Sequence, residues 1–264
     1  MKLQIVILLA ATYAAAADVC TSTKNPALAQ KLSKEIYPAL KGRSGHHAVS
    51  FYDRTTETTC HLNAQLQFQT ASVVKVAILS AAMHKCQKEN KQLTPAQKTQ
   101  AYKMITASDN DAATALWNWV TANGMKQFFG LVGMTQTTID GTGWWGKTHT
   151  TSADQLKLLQ MLTHANSVLT DPSRNYVLDL MSKTIASQRW GTPAGTPAGI
   201  IVHVKDGWVN RNDGVGWRIN SLGTFNKPGK DYQIAVLTDG NPNEKYGHQT
   251  IEAVARVIHL AVGN

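Results

Sequence analysis

The feature that most constrains this fold is where the two kinds of hydrophobic periodicity occur along the chain. Helical periodicity fills the middle, and strand patterns occur at both ends, over 47–53, 59–63, 200–206, 215–225 and 231–239. Strands from the two ends can pair their backbone groups and bury their apolar faces by joining one sheet. The sequence therefore predicts an α/β fold of the α+β kind. It consists of one antiparallel sheet of about five strands built from both chain ends, flanked by helices, with an all-helical lobe inserted.

The 264-residue chain divides accordingly into an α/β part, about 18–70 and 190–264, and a helical lobe, about 71–189. The first lobe segment, 71–88, is Ala-rich and apolar on nearly every side, which is typical of a helix buried in a core. Helical patterns are also predicted after Asn25-Pro26 and over 94–106, 111–121, 124–131, 151–164, 172–184 and 245–261.

The N-terminal segment has the pattern of a secretory signal peptide. Met1-Lys2 precedes the apolar run 3–11, and small residues lead to a predicted cleavage after Ala17. The run is shorter than the roughly 20 residues that a membrane span needs. We therefore expect a signal peptide at 1–17 and a mature domain at 18–264. The mature protein is expected to be secreted (extracellular or periplasmic), monomeric and without membrane contact.

Charge and cysteine content argue against several classes of partner. Cleavage removes Lys2 and lowers the formal net charge from +9 to +8, because 25 basic and 17 acidic residues remain. These basic residues are not clustered with aromatic residues, so we expect no nucleic-acid partner. No cysteine has a metal-binding spacing and H-E-x-x-H is absent, so no metal or other cofactor is predicted. In an oxidising compartment we expect one disulfide, with Cys20–Cys60 favoured, and Cys86 left over.

The first candidate catalytic motif is Ser72-Val73-Val74-Lys75. Residues three apart share a helix face, so the Ser72 hydroxyl is within reach of the Lys75 amine. A serine is a weak nucleophile without a base beside it, and a desolvated lysine can lose its proton and act as that base. The alternative is a helix-start serine beside an ordinary lysine, although an unpaired lysine among these apolar neighbours would be costly.

Two later motifs bring further polar groups. Ser108-Asp109-Asn110 follows a predicted helix and can also cap the next one, and the two interpretations are compatible. Lys205-Asp206-Gly207-Trp208 lies in a predicted C-terminal strand. There Lys205 and Gly207 share a face, and the glycine allows a ligand to approach the strand backbone closely. By itself this motif favours the interpretation of an ordinary edge-strand lysine.

In order along the chain, Ser-x-x-Lys, Ser-Asp-Asn and Lys-x-Gly resemble the motifs of class A β-lactamases and the related penicillin-recognising, DD-peptidase-like serine hydrolases. The resemblance covers about 26–262. It implies that Ser72, assisted by Lys75, forms an acyl-enzyme with a β-lactam or a related carboxylate-bearing amide, ester or D-amino-acid peptide. The resemblance also implies that Ser108 transfers a proton to the leaving nitrogen and that Asn110 orients the substrate. It implies that Lys205 and Arg218 bind the substrate carboxylate and that Gly207 allows close substrate approach. The N–H groups of Ser72 and Trp208 would form the oxyanion hole. For Arg218, a surface strand arginine is an equally good interpretation.

The chain departs from the family pattern at three places. Asp206 stands where the family has a hydroxyl residue, and the spacing from Ser72 to Ser108 is shorter than is typical. The stretch 139–153 lacks the glutamate that activates the deacylating water, and Asp140 and His149 are the nearest substitutes. Two alternatives therefore remain open. One is a catalytically silent or slowly deacylating penicillin- or peptidoglycan-binding module, and the other is a serine-dependent glutaminase.

Overall fold

The computed structural model describes residues 19–263, so the predicted signal peptide at 1–17 lies outside the described residues. The main sheet is antiparallel and has six strands in the order β1-β3-β2-β8-β7-β6, which confirms a sheet built from both chain ends. A short ladder pairs β4 with β5. The strands are β1 Cys20–Ser22, β2 His46–Asp53, β3 Thr58–Leu62, β4 Phe68–Gln69, β5 His149–Thr150, β6 Ile201–Asn210, β7 Trp217–Lys227 and β8 Lys230–Asn241.

The sixth strand is β1, a short strand that the hydrophobic pattern does not predict. It pairs with β3 in a register that sets Cys20 opposite Cys60, and these two cysteines form the expected disulfide. Cys86 is a buried free thiol. Three residues are too few to show a period of two, so pairing with β3 and the disulfide decide this strand.

The eight helices of the described chain begin mostly where the sequence places a cap or a proline. The Asn25 side chain accepts the Leu28 N–H at the start of the first helix, and Thr94 forms a capping box with Gln97 at the third. The helices are α1 Pro26–Leu40, α2 Val74–Lys88, α3 Pro95–Thr106, α4 Asn110–Val120, α5 Ala122–Val132, α6 Ser152–Thr163, α7 Asp171–Ser182 and α8 Glu244–Gly263.

Two hydrophobic cores lie on opposite faces of the sheet region. In the helical lobe, α2 is packed by α3, α4, α5 and α7, which explains why it is apolar on all sides. The second core lies between the sheet and the pair α1 and α8, with Ile36, Phe51 and Ile258 fully buried. Each such side chain contributes about 1.5–3 kcal/mol on burial. The turn at 71–73, which leads into α2, thereby becomes fixed against edge strand β6, and the candidate residues meet at this junction.

No helix within residues 19–263 combines the length and the apolar character needed to cross a membrane.

Candidate active site

Ser72 lies in a short 3-10 helix, Ala71–Val73, that leads directly into α2. The predicted helix over 71–88 is thus an α-helix only from Val74 onward. Ala71, just before the serine, has a φ of +45°, a conformation that L-residues rarely adopt. Backbone strain of this kind is common where a side chain must be presented to a cleft.

Lys75 lies one helical turn further on and is completely buried. Its Nζ is 3.0 Å from the Ser72 Oγ, 3.1 Å from the Ser108 Oγ and 2.8 Å from the Asn110 Oδ1. The Ser108 carbonyl accepts a further hydrogen bond at 2.6 Å. Burial, helped by the nearby charge of Lys205, lowers the pKa of Lys75 to about 7. The amine is therefore held in hydrogen-bond contact with the serine and is partly unprotonated at neutral pH.

The Ser108 turn supplies the second wall of the site. Ser108 itself has a φ of +57°, and Asp109 caps α4 by accepting the Ala112 N–H at 2.8 Å. The capping interpretation of Ser-Asp-Asn is therefore confirmed, and it is compatible with a catalytic role for Ser108. The Ser108 hydroxyl is 3.1 Å from both Lys75 Nζ and Lys205 Nζ, so it bridges the two amines.

Edge strand β6 closes the site with Lys205 and Gly207. Lys205 is completely buried, its Nζ also donates to the Asp206 carbonyl at 2.8 Å, and burial lowers its pKa. At Gly207 an added Cβ would meet the Ser72 nitrogen at 2.7 Å and the Val73 nitrogen at 2.8 Å. Only glycine permits this close approach of the strand to the nucleophile turn.

Asp206 and Trp208 point to the opposite face of β6. The Asp206 carboxyl is buried, accepts the Trp190 N–H at 3.2 Å, and leaves its Oδ1 without a partner among the described residues. Burial raises the pKa of Asp206 well above its usual range, which favours the protonated form. The Trp208 ring packs against Trp190, with ring centroids 5.9 Å apart. Asp206 therefore does not add a negative charge beside Ser72, and only the backbone of Trp208 can face the cleft.

The candidate residues of β7 have different surroundings. Arg218 is nearly buried and binds both carboxylate oxygens of Asp213, at 2.8 and 2.7 Å. Asn220, two residues on, donates its amide to the carbonyls of Gln69 and Thr70, at 2.9 and 3.0 Å. These are the last carbonyls before the nucleophile turn, so Asn220 anchors that turn to the sheet.

The chain matches the family model described as the beta-lactamase enzyme family, over residues 28–100 and 94–262. The protein belongs to this family. The Ser-x-x-Lys, Ser-Asp-Asn and Lys-x-Gly motifs therefore occur in a member of the class A β-lactamase and penicillin-recognising serine hydrolase superfamily, as the resemblance implies. The sequence has no significant match among curated proteins.

Solved structures of beta-lactamases and of PBP-A share the fold of this family member. A class A beta-lactamase from Bacteroides cellulosilyticus is 17% identical with a TM-score of 0.77, covering 88% of this chain and 97% of that one. The TLA-1 extended spectrum beta-lactamase is 18% identical with a TM-score of 0.77 and coverages of 89% and 99%. PBP-A is 20% identical with a TM-score of 0.76 and coverages of 89% and 96%. At these identities the likeness shows the fold.

The segment 139–149 of this beta-lactamase-family protein places a tryptophan ring over Lys75. The Trp145 ring centroid is 4.8 Å from Lys75 Nζ, and its Nε1 donates to the Thr114 Oγ1 at 3.1 Å. Asp140 is half-buried and accepts hydrogen bonds from Thr142. His149 forms backbone bonds with Thr138. In the described structure neither candidate for the water-activating base is hydrogen-bonded to Ser72 or Lys75.

Three residues of the site, Asn220, Arg211 and Asp213, lie outside the sequence motifs and were not predicted. Asn220 could have been found, because it shares a strand face with Arg218. Arg211 donates to the Gln69 Oε1 and the Gly146 carbonyl and lies 4.6 Å over the Trp144 ring. Asp213 and Arg211 lie in the connection between β6 and β7, where no periodicity indicates their partners. Across residues 19–263, no group of three or more His, Cys, Asp or Glu is arranged to hold a metal ion.

Proposed function

We propose that this protein is a secreted serine hydrolase that is acylated at Ser72 by a β-lactam or a related carboxylate-bearing amide or ester. The observation that carries the proposal is the 3.0 Å contact between the Lys75 amine and the Ser72 hydroxyl, combined with the complete burial of Lys75. A desolvated amine in that position is a suitable base for the hydroxyl proton. The family and the fold support a class A beta-lactamase-like hydrolase.

In the acylation step, the Ser72 Oγ attacks the substrate carbonyl carbon while its proton passes to the Lys75 Nζ. The carbonyl oxygen becomes negatively charged and accepts hydrogen bonds from the N–H groups of Ser72 and Trp208. The bond from carbon to the leaving nitrogen or oxygen then breaks. Ser108 gives its proton to the leaving atom and regains one from the amines that it bridges.

Substrate binding in this proposal uses groups that already surround the serine. Asn110 orients the substrate amide beside Lys75, and Gly207 lets the substrate approach the edge of β6. Lys205 and Arg218 supply positive charge for a carboxylate. In this proposal the protein works as a monomer, needs no cofactor and acts outside the cell or in the periplasm.

A second candidate is a slowly deacylating penicillin- or peptidoglycan-binding module. It is favoured by the surroundings of Lys75, where the Trp145 ring lies over the amine and no carboxylate of the described chain is hydrogen-bonded to it. Hydrolysis of an acyl-enzyme needs a group that activates water. Without one, the acyl group stays on Ser72 for much longer than one turnover of an efficient lactamase.

Intact-mass spectrometry of the mature protein mixed with benzylpenicillin tests the proposal and separates the two candidates. We expect an adduct of one penicillin mass that Ser72→Ala abolishes. Ser80→Ala is the matched control, because Ser80 lies on α2, the helix into which the Ser72 turn leads, and among the described residues its hydroxyl bonds only to the Val76 carbonyl. An adduct that clears within minutes supports a hydrolase, and one that persists supports the binding module. A folded protein that shows no adduct with penicillin, an ester substrate or glutamine would refute acylation at Ser72.

A further inference from the structure

Arg218 already holds a carboxylate, and that carboxylate belongs to the protein itself. Its Nη1 donates to the Asp213 Oδ1 at 2.8 Å and its Nη2 to the Asp213 Oδ2 at 2.7 Å. This two-pronged geometry is the one in which a guanidinium recognises a carboxylate. Nη1 also donates to the Gly216 carbonyl at 3.1 Å. The Arg218 guanidinium therefore already has the geometry of a carboxylate-binding group, and its Nη1 and Nη2 are occupied by Asp213 and the Gly216 carbonyl.

The receptor lies at the edge of the site described above. Arg218 is two residues from Asn220, whose amide holds the backbone just before Ser72, and alternate residues of a strand share a face. Arg211 lies between the same elements, since it bonds to Gln69 and to the Gly146 carbonyl. Burial, and after it the charge of Arg218, lowers the pKa of Arg211, while the charge of Asp213 opposes this shift.

The two partners differ in their exposure to solvent. The Arg218 side chain is 5% exposed, whereas that of Asp213 is 39% exposed. An exposed carboxylate can leave for water at small cost, while a nearly buried guanidinium needs a replacement partner. A carboxylate on a ligand in the cleft is such a replacement. The pair therefore has the properties of a receptor that exchanges an internal carboxylate for an external one.

We propose that Asp213 is a specificity-determining residue that competes with the substrate's carboxylate for Arg218. This inference deepens the proposed function and rests on it for the identity of the substrate. A substrate carboxylate binds Arg218 only after displacing Asp213, whereas an uncharged ester or amide is unaffected. The preference for carboxylate-bearing substrates is therefore weaker than an unpaired Arg218 would produce.

The test measures binding separately from acylation. In a Ser72→Ala background, isothermal titration gives the dissociation constants of benzylpenicillin and of its uncharged methyl ester, with Asp213 present and with Asp213→Asn. The asparagine keeps the shape and removes the negative charge, so Arg218 becomes available to a ligand carboxylate. We expect benzylpenicillin to bind about tenfold more tightly to the Asn variant, and the methyl ester to change by less than about twofold.

Matched variants complete the test. Asp213→Glu keeps a carboxylate and is expected to keep the weak binding of the parent. Glu252→Gln removes one negative charge from a surface pair with Arg256 on α8 and should change neither dissociation constant. Asp213→Ser provides a second neutral variant if the Asn variant melts at a much lower temperature.

Equal dissociation constants before and after neutralising Asp213, or equal tightening of the acid and the ester, would overturn the inference. Failure of the proposed function is detected separately, as the absence of a Ser72 adduct in the protein that retains its serine. The binding comparison does not depend on that adduct.

Discussion

Replacing Gly207 by alanine adds a single methyl group and should strongly lower the rate of acylation at Ser72. The nearest atoms to the new Cβ are the Ser72 nitrogen at 2.7 Å, the Val73 nitrogen at 2.8 Å and the Thr70 carbonyl oxygen at 3.1 Å. All three are backbone atoms, so no side-chain rotation relieves the contact. The shortest distance is 0.7 Å inside the 3.4 Å at which ordinary van der Waals contact begins. Either the nucleophile turn or strand β6 must therefore move by several tenths of an ångström.

The magnitude follows from that displacement. Misplacing a reacting group by about 1 Å lowers the rate about 100-fold. Overpacking a tight site of this kind lowers the free energy of unfolding by about 1–3 kcal/mol. We expect Gly207→Ala to fold with a reduced melting temperature and to show an acylation rate constant at Ser72 that is lower by about 10- to 100-fold.

The assay is the rate of adduct formation, followed by stopped-flow intact-mass spectrometry, alongside a thermal unfolding curve. Gly130→Ala is the matched control, since Gly130 lies within α5 and a Cβ there meets nothing within 4 Å. The control should acylate at the parent rate and be at least as stable. If Gly207→Ala acylates as fast as the parent, the close approach of β6 to Ser72 does not position the nucleophile, and the reasoning is refuted.

Three further predictions concern the buried polar groups. Burial lowers the pKa of Lys75 to about 7, so the acylation rate should fall as pH drops below about 7 and the amine becomes protonated. An acylation rate that is constant from pH 5 to 8 would contradict the role of Lys75 as base. Burial raises the folded-state pKa of Asp206 to about 8. Between the ordinary aspartate pKa and that raised pKa, the folded state binds more protons than the unfolded state, so the free energy of unfolding falls as pH rises through this range. Asp206→Asn should remove this fall, and urea unfolding should show the variant gaining stability relative to the parent from pH 5 to pH 8.5; parallel profiles would show that the carboxyl is not the cause. Asn220→Ala removes the hydrogen bonds of its amide to the carbonyls of Gln69 and Thr70 and to the Thr238 N–H, and the Thr70 carbonyl keeps only the Val73 N–H. We expect a loss of about 2–4 kcal/mol in urea unfolding and slower acylation. A loss of stability at an unchanged acylation rate would deny Asn220 a positioning role.

The placement of Lys75 shows how much local sequence spacing predicts. The interval of three between Ser72 and Lys75 brings hydroxyl and amine to one face, and the structure has them 3.0 Å apart. The all-apolar surroundings of α2 likewise predict that the lysine is buried. Both properties depend on neighbours within one or two helical turns, which is why they can be read before the fold is known.

The surroundings of Arg218 and Asp206 show where this reasoning ends. Strand alternation predicts that Asp206 and Lys205 point to opposite faces, but not that Asp206 is buried beside Trp190 with a raised pKa. The resemblance implies a carboxylate for Arg218, but the pairing with Asp213 arises in a connection without periodicity.

The sequence by itself determined the antiparallel sheet from both chain ends, the inserted helical lobe and the motif residues, because these follow from periodicity, capping and short spacings. Only the tertiary structure decided which groups meet across 33 to 151 residues of chain: Lys75 with Ser108, Lys205 with Ser108, and Asn220 with the carbonyl of Gln69. The physical reason is that hydrogen bonds and charge pairs act over a few ångströms, and the packing of distant segments sets those distances.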